Sequence, residues 1–135
     1  MLDSLDSGDA PCVRLASLSD EEELMEMCRA KHAEEGLRSV DGEPFAFSTE
    51  KARGMLHQAL VGRRNHPDAG QAWCGIMGAP GQLKGSVYLT VQEPSDSEGL
   101  YLQQVWSWIF PVWRRSASNE ALIAFSQALA AHLQL

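Results

Sequence analysis

The sequence has few cysteines, few basic residues and no long apolar run, and each shortage excludes a class of protein. Its three cysteines, Cys12, Cys28 and Cys74, are widely spaced and form no CxxC pair, which argues against a disulfide framework and a zinc site. Eleven Lys and Arg against eighteen Asp and Glu give a net charge of −7. Because such a surface repels phosphate backbones, we expect no general binding of nucleic acid.

No segment suits a membrane or a secretory pathway. The longest mostly apolar run, residues 121–135, is interrupted by four polar residues, including Ser126 and His132, and is too short to span a bilayer. Residues 1–10 are acidic and polar, without the basic and apolar regions of a signal peptide. We therefore expect a cytoplasmic protein that does not associate with membranes.

The composition is that of one ordinary globular domain. A chain of 135 residues with 44% hydrophobic and 21% charged residues has enough material for a single core and little room for a second. We divide it into a flexible N-terminal tail, residues 1–11, and one domain, residues 12–135.

The apolar periodicity predicts four strands and three helices in the order β-α-α-β-β-β-α. Alternating residues predict strands over 12–16, 83–91 and 100–110, and the apolar segment 72–77 is also typical of a strand. The Gly-Ala-Pro-Gly turn at 78–81 joins the second and third strands into an antiparallel hairpin. The predicted fold class is α+β, with a mostly antiparallel four-stranded sheet.

Capping residues predict where the helices begin. Ser19 and Glu22 form a capping-box pattern at the start of the first helix, and Ser48 is a typical N-cap for the second. The third helix is expected to begin near Ser118 or Asn119.

The segment 109–122 is the most informative for function. It runs from the end of a strand through Pro111 and the pair Arg114 and Arg115 into a helix. The free amides and the dipole of a helix start attract anions, and two neighbouring arginines suit a pyrophosphate. The alternative is that the residues 118–120 are only a helix cap.

This segment resembles the acetyl-CoA loop of the GNAT superfamily of N-acetyltransferases. The family pattern is apolar-x-Pro-x-aromatic-Arg-x-x-small-x-small-x-x-Leu, with Asn119 here where glycine or alanine is usual. The likeness is greatest to GNAT-like proteins of tailed phages and prophages and extends over residues 13–133. It is carried by Ile109, Pro111, Trp113, Arg114, Ala117 and Leu122, by Pro-x-x-Arg-Arg-Ser at 111–116, by Cys28 with His-Ala-Glu at 32–34, and by Phe-Ser-Thr-Glu-Lys at 47–51.

The resemblance implies a GNAT-like fold that binds acetyl-CoA as a substrate, without a metal, and transfers its acetyl group to an amine. The main chain of the strand end would pair with the pantetheine arm, and the amides of 114–119 would hold the pyrophosphate. The resemblance assigns no catalytic residue. The residues that it assigns to acetyl-CoA are Ile109, Phe110, Arg114, Arg115, Ser116, Ala117, Ser118 and Asn119.

Two features favour a second class of function. Gln104 stands where many relatives have a glutamate, and an amide cannot act as a base at neutral pH. The GNAT fold normally continues beyond the helix that ends here at Leu135, so we expect a truncated domain whose strand 100–110 is an exposed edge. A second copy or another chain would cover that edge, or complete the site. The alternative is therefore an inactive GNAT-derived structural or interaction protein, such as a phage virion component.

Other polar and aromatic residues allow two interpretations each. His32, Glu34 and Glu35 either line an acceptor pocket at the first helix or form a solvated helix end. The tryptophans, among them Trp106 and Trp108 on one face of the same strand, either pack in the core or stack on a ligand or partner.

Overall fold

The computed structural model describes residues 12–61 and 68–135, so the expected tail at 1–11 lies outside the described residues. The order of elements is the predicted one. Two turns of 3₁₀ helix, Leu18–Asp20 and Pro111–Trp113, precede the first and third α-helices. The strands and helices are β1 (Val13–Leu15), α1 (Glu21–Glu35), α2 (Thr49–Leu60), β2 (Ala72–Met77), β3 (Gly85–Gln92), β4 (Tyr101–Ile109) and α3 (Ser116–His132).

The four strands form one sheet in the order β1-β2-β3-β4, and every neighbouring pair is antiparallel. The predicted hairpin is confirmed as the β2–β3 pair. β4 pairs with β3 along its whole length, with Tyr88 opposite Trp106 and Leu89 opposite Gln104. Val105 is therefore the extra residue of a β-bulge, which interrupts the ladder near the middle of β4.

Helices cover both faces of the sheet. α1 and α2 pack on one face, where Leu24, Leu56 and Tyr88 belong to one buried cluster. α3 packs on the other face, where Leu122 and Val87 belong to a second cluster. Trp106 and Trp108 lie on the α1–α2 side and Ile109 on the α3 side, as strand alternation predicts. Among the described residues, no helix has the length and apolar character needed to cross a bilayer.

The first helix begins differently from the prediction. α1 starts at Glu21 after the 3₁₀ turn, so the predicted capping box of Ser19 and Glu22 is wrong. Asp20 is the decisive residue because its buried carboxylate accepts the Ser17 amide at 2.8 Å and both terminal nitrogens of Arg14 at 3.0 Å. This ion pair fixes the entry to α1 against the end of β1.

The third helix also begins earlier than predicted. α3 starts at Ser116 with Arg115 as its N-cap, so the expected start near Ser118 or Asn119 is wrong. Ser118 lies inside the first turn, where its hydroxyl donates to the Trp113 carbonyl at 2.9 Å. The Arg115 side chain makes no capping hydrogen bond, and the start of α3 consequently has no side-chain cap.

Candidate functional site

A cleft of about 520 Å³ lies between the end of β4 and the first turn of α3. It contains five of the eight residues assigned to acetyl-CoA by the sequence, while Phe110, Ala117 and Ser118 lie outside its lining. The last turn of α1 forms the third wall. The lining residues are Glu34, Ser107, Trp108, Ile109, Arg114, Arg115, Ser116 and Asn119.

At the end of β4, some main-chain groups are hydrogen-bonded within the sheet and others face the cleft. Phe110 donates its amide to the Lys84 carbonyl at 2.8 Å, so the amide of this residue faces the β3 side of the sheet. Alternation along an antiparallel ladder then turns the main-chain groups of Ser107 and Ile109 towards the outer edge. The Ile109 carbonyl accepts from Arg114 Nε at 2.7 Å. The outer edge at Ser107 and Ile109 is thus the part of β4 that a ligand strand can reach.

Some amides of the loop before α3 and of its first turn have hydrogen-bond acceptors in the described part of the chain, and others do not. Arg114 donates its amide to the Pro111 carbonyl, and Ser118 and Asn119 both donate to the Arg115 carbonyl. Ser116 and Ala117 occupy the first two positions of α3, whose amides have no acceptor within a helix. Of the amides at 114–119, those of Ser116 and Ala117 are the best placed to bind an anion.

Arg114 forms an ion pair with a carboxylate within the cleft. Its Nη2 atom lies 2.5 Å from Oε1 of Glu34, and the same oxygen accepts the indole N–H of Trp108 at 2.9 Å. The hydrogen bond from Arg114, and secondly that from Trp108, lowers the pKa of Glu34 below its ordinary value. Glu34 is therefore ionised at neutral pH and balances the charge of Arg114.

Arg115 is the uncommitted cation of the cleft. Its guanidinium carbon lies 5.8 Å from the centre of the Trp113 ring. Within residues 12–61 and 68–135, its side chain makes no hydrogen bond or ion pair. An exposed guanidinium beside two unpaired helix amides is suited to a phosphate or pyrophosphate group.

A second cavity, of about 380 Å³, lies between α1, α2 and β4, and we call it the α1–α2 pocket. His32 and Glu35 line it, whereas Glu34 lines the cleft, so the three residues predicted to share one acceptor pocket are divided between two cavities. His32 Nε2 lies 2.8 Å from the Phe45 carbonyl and is a structural contact of the 37–47 loop. Cys28 also lines the pocket, but burial raises the pKa of its thiol.

Several lining residues were not assigned to a site by the sequence. Ser107 in the cleft and the lysines Lys31 and Lys51 in the α1–α2 pocket carry no motif that would distinguish them. For Trp106 and Trp108, the sequence left open packing in the core and stacking on a ligand or partner. The structure places Trp106 in the pocket and Trp108 in the cleft.

Gln104 does not face the α1–α2 side. The register pairs it with Leu89, which belongs to the α3-side cluster, and directly paired residues project from the same face.

In the described ranges, no group of three or more His, Cys, Asp or Glu side chains is arranged to hold a metal ion.

The comparisons with known proteins concern the fold. No protein-family model and no curated protein matches the sequence. Among solved structures, the chain is similar to a GNAT family acetyltransferase from Staphylococcus aureus, with a TM-score of 0.61 and 15% sequence identity over 92% of this chain and 80% of that one. The α+β arrangement of three helices around a four-stranded antiparallel sheet is thus a GNAT-like fold, as the sequence resemblance implies.

Proposed function

We propose that this chain binds acetyl-CoA in the cleft beside β4 and transfers its acetyl group to an amine, as a GNAT-type N-acetyltransferase. One observation carries the proposal. The outer edge of β4 at Ser107 and Ile109 meets the uncapped first turn of α3 and the unpaired Arg115 in a single cleft. The likeness in fold to a GNAT family acetyltransferase supports the same assignment.

The residues present fit the proposed ligand. Ser116 and Ala117 offer unpaired amides and Arg115 offers a free guanidinium, which together suit a pyrophosphate. Among the described residues, Glu34 supplies the single carboxylate that lines the cleft, and Arg114 balances its charge. The edge of β4 offers main-chain groups to the amides of a pantetheine arm, in the manner of an added strand.

Acetyl-CoA supplies an activated acetyl group, which an amine takes by forming a C–N bond as the C–S bond breaks. Solvent removes the amine proton and supplies a proton to the departing thiolate. The chain's contribution is to bind, orient and polarise. Val105 has no partner residue in the register with β3, and we propose its amide as the donor to the acetyl oxygen. Gln104 cannot serve as a base, and we assign proton removal to solvent.

Release of free thiol from acetyl-CoA in the presence of a panel of primary amines tests this function. Val105→Pro removes the proposed donor amide, and Val105→Ala, which keeps the amide, is the matched control. We expect amine-dependent release that falls by about 100-fold in Val105→Pro and is unchanged in Val105→Ala. Absence of amine-dependent release by the wild-type protein at millimolar acetyl-CoA would contradict the proposal.

A second candidate is an interaction protein that binds through β4, as a subunit of a homo-oligomer or of a larger assembly. No strand of the described ranges pairs with the outer edge of β4. This nine-residue strand has no charged residue or proline, and Tyr101 and Val105 are 42% and 45% exposed. Such an edge lacks the usual guards against pairing with another chain.

The molecular mass in solution over a range of protein concentrations tests the second candidate. Edge pairing between two copies predicts a dimer that Val105→Lys dissociates. Ile123→Lys is the control, because Ile123 is equally exposed but lies on α3. A wild-type monomer at all concentrations, or a dimer indifferent to Val105→Lys, would contradict self-association through this edge.

A further inference from the structure

The α1–α2 pocket has the size and lining of a small-molecule site. Its volume of about 380 Å³ lies within the usual range for such sites. Phe47, Met55 and Trp106 give it apolar walls. A molecule bound there would bury an apolar or aromatic body against these side chains.

Among the described residues, the lysines that line the pocket outnumber its carboxylates, and one of the lysines has no partner. Lys31 forms an ion pair with Glu35 at 3.1 Å, and its ammonium lies 5.1 Å from the centre of the Trp106 ring. Lys51 lines the same pocket, and within the described part of the chain its side chain has no hydrogen-bond or ion-pair partner. In a protein with a net charge of −7, this pocket therefore holds one unbalanced positive charge.

The pocket adjoins the cleft at two points. Trp106 of the pocket precedes Trp108 of the cleft by two residues of β4, about 7 Å along a strand. Glu35 and Glu34 are consecutive residues at the end of α1, and one lines each cavity. A small molecule in the pocket can therefore present one of its groups towards the cleft.

We propose that the α1–α2 pocket binds a small molecule with an apolar body and a carboxylate, which Lys51 recognises. Under the proposed function, on which this second step rests, that molecule is the acetyl acceptor and belongs to the apolar amino acids. Among the described residues that line this pocket, a plain amine would find no unpaired carboxylate, because Glu35 is paired with Lys31. Removal of Lys51 should therefore affect acceptors that carry a carboxylate and spare those that lack one.

Three probes that share a body and differ in charge test the class of ligand. These are 3-phenylpropanoate, 3-phenylpropan-1-ol and 3-phenylpropylamine, titrated by calorimetry into the 135-residue protein without acetyl-CoA. We expect the acid to bind at least about tenfold more tightly than the alcohol and the amine to bind most weakly. Equal binding of the three, preference for the amine, or no binding of the acid would overturn the inference.

Variants of Lys51 test whether this side chain recognises the carboxylate of the ligand. Lys51→Gln should weaken binding of the acid about tenfold, whereas Lys51→Arg should retain it. Lys84→Gln removes the same charge outside both cavities and should leave binding unchanged. Equal effects of Lys51→Gln and Lys84→Gln, or binding of an acidic peptide in preference to the small acid, would overturn the assignment.

The transfer assay separates this inference from the proposed function. With phenylalanine and phenethylamine as acceptors, Lys51→Gln should lower kcat/KM for phenylalanine about tenfold and leave that for phenethylamine unchanged. Binding of the acid without any transfer would support the pocket and contradict the transferase. Transfer to phenethylamine alone would support the transferase and overturn the proposed acceptor class.

Discussion

Glu34 and Arg114 are 80 residues apart in the sequence and form an ion pair in the cleft, with 2.5 Å between Oε1 and Nη2. The same oxygen holds the indole N–H of Trp108. One carboxylate at the end of α1 thereby ties β4 to the loop before α3. It also occupies Arg114, one of the two arginines that the sequence resemblance assigns to acetyl-CoA, which leaves Arg115 as the free guanidinium.

Loss of the Glu34 charge should strengthen the binding of an anionic ligand. In Glu34→Gln, the amide oxygen still accepts from Trp108, but the guanidinium of Arg114 is no longer neutralised. We expect the affinity for CoA, measured by calorimetry, to rise about threefold to tenfold. Glu35→Gln removes the neighbouring carboxylate outside the cleft and should have no effect on CoA. Weaker binding in Glu34→Gln would mean that Glu34 positions Arg114 rather than competing with the ligand.

The pair of Arg14 and Asp20 should make stability depend on pH. The hydrogen bond from Arg14 is the main cause that lowers the pKa of Asp20 below its ordinary value of 3.8. The unfolded chain therefore binds this proton more readily than the folded one. The contribution of Asp20 to stability is complete above pH 3.8 and is lost as the pH falls through the lower folded pKa.

Asp20→Asn should accordingly lower the free energy of unfolding by about 1.5–3 kcal/mol at pH 7. Urea denaturation at a series of pH values measures this difference, which should shrink below pH 4. Asp41→Asn, in an exposed loop, should match the wild type. A difference that stays constant down to pH 2 would show that the ionised carboxylate is not its source.

Gly75→Ala should disturb the packing of α3 on the sheet. A Cβ atom at this position in β2 would lie 2.5 to 2.9 Å from three ring atoms of Phe125. We expect a loss of about 1–3 kcal/mol in the free energy of unfolding, which Phe125→Leu in the same chain should partly restore. Gly54→Ala, in α2 with open space around it, should not destabilise. Wild-type stability of Gly75→Ala would contradict this close contact.

Much of the fold follows from local sequence pattern. The short apolar run Ala72–Met77 and the turn after it are sufficient to predict the β2–β3 hairpin. Ser48 caps α2 as predicted, since its side chain accepts from the Lys51 amide. The starts of α1 and α3 were less predictable, because serines that could cap compete with tertiary contacts. Asp20 is held by Arg14 and the Ser118 hydroxyl by the Trp113 carbonyl, and these contacts decide where α1 and α3 begin.

Of the candidate site, only the loop before α3 could be predicted from the sequence. The motif around Arg114 and Arg115 locates the loop, since its residues are contiguous in the sequence. The role of Glu34 depends on a contact across the fold, and no local pattern reports such a contact. Lys51 likewise becomes notable only when α2 is placed beside Trp106.

The most direct test of the account is a calorimetric titration of the 135-residue protein with acetyl-CoA. The cleft predicts micromolar binding that Arg115→Ala weakens about 10- to 100-fold and that added salt also weakens. Arg38→Ala, which removes an arginine from the exposed 37–47 loop, should bind as the wild type does. No heat at millimolar ligand, or equal affinity in Arg115→Ala and the wild type, would contradict the assignment of this cleft to acetyl-CoA.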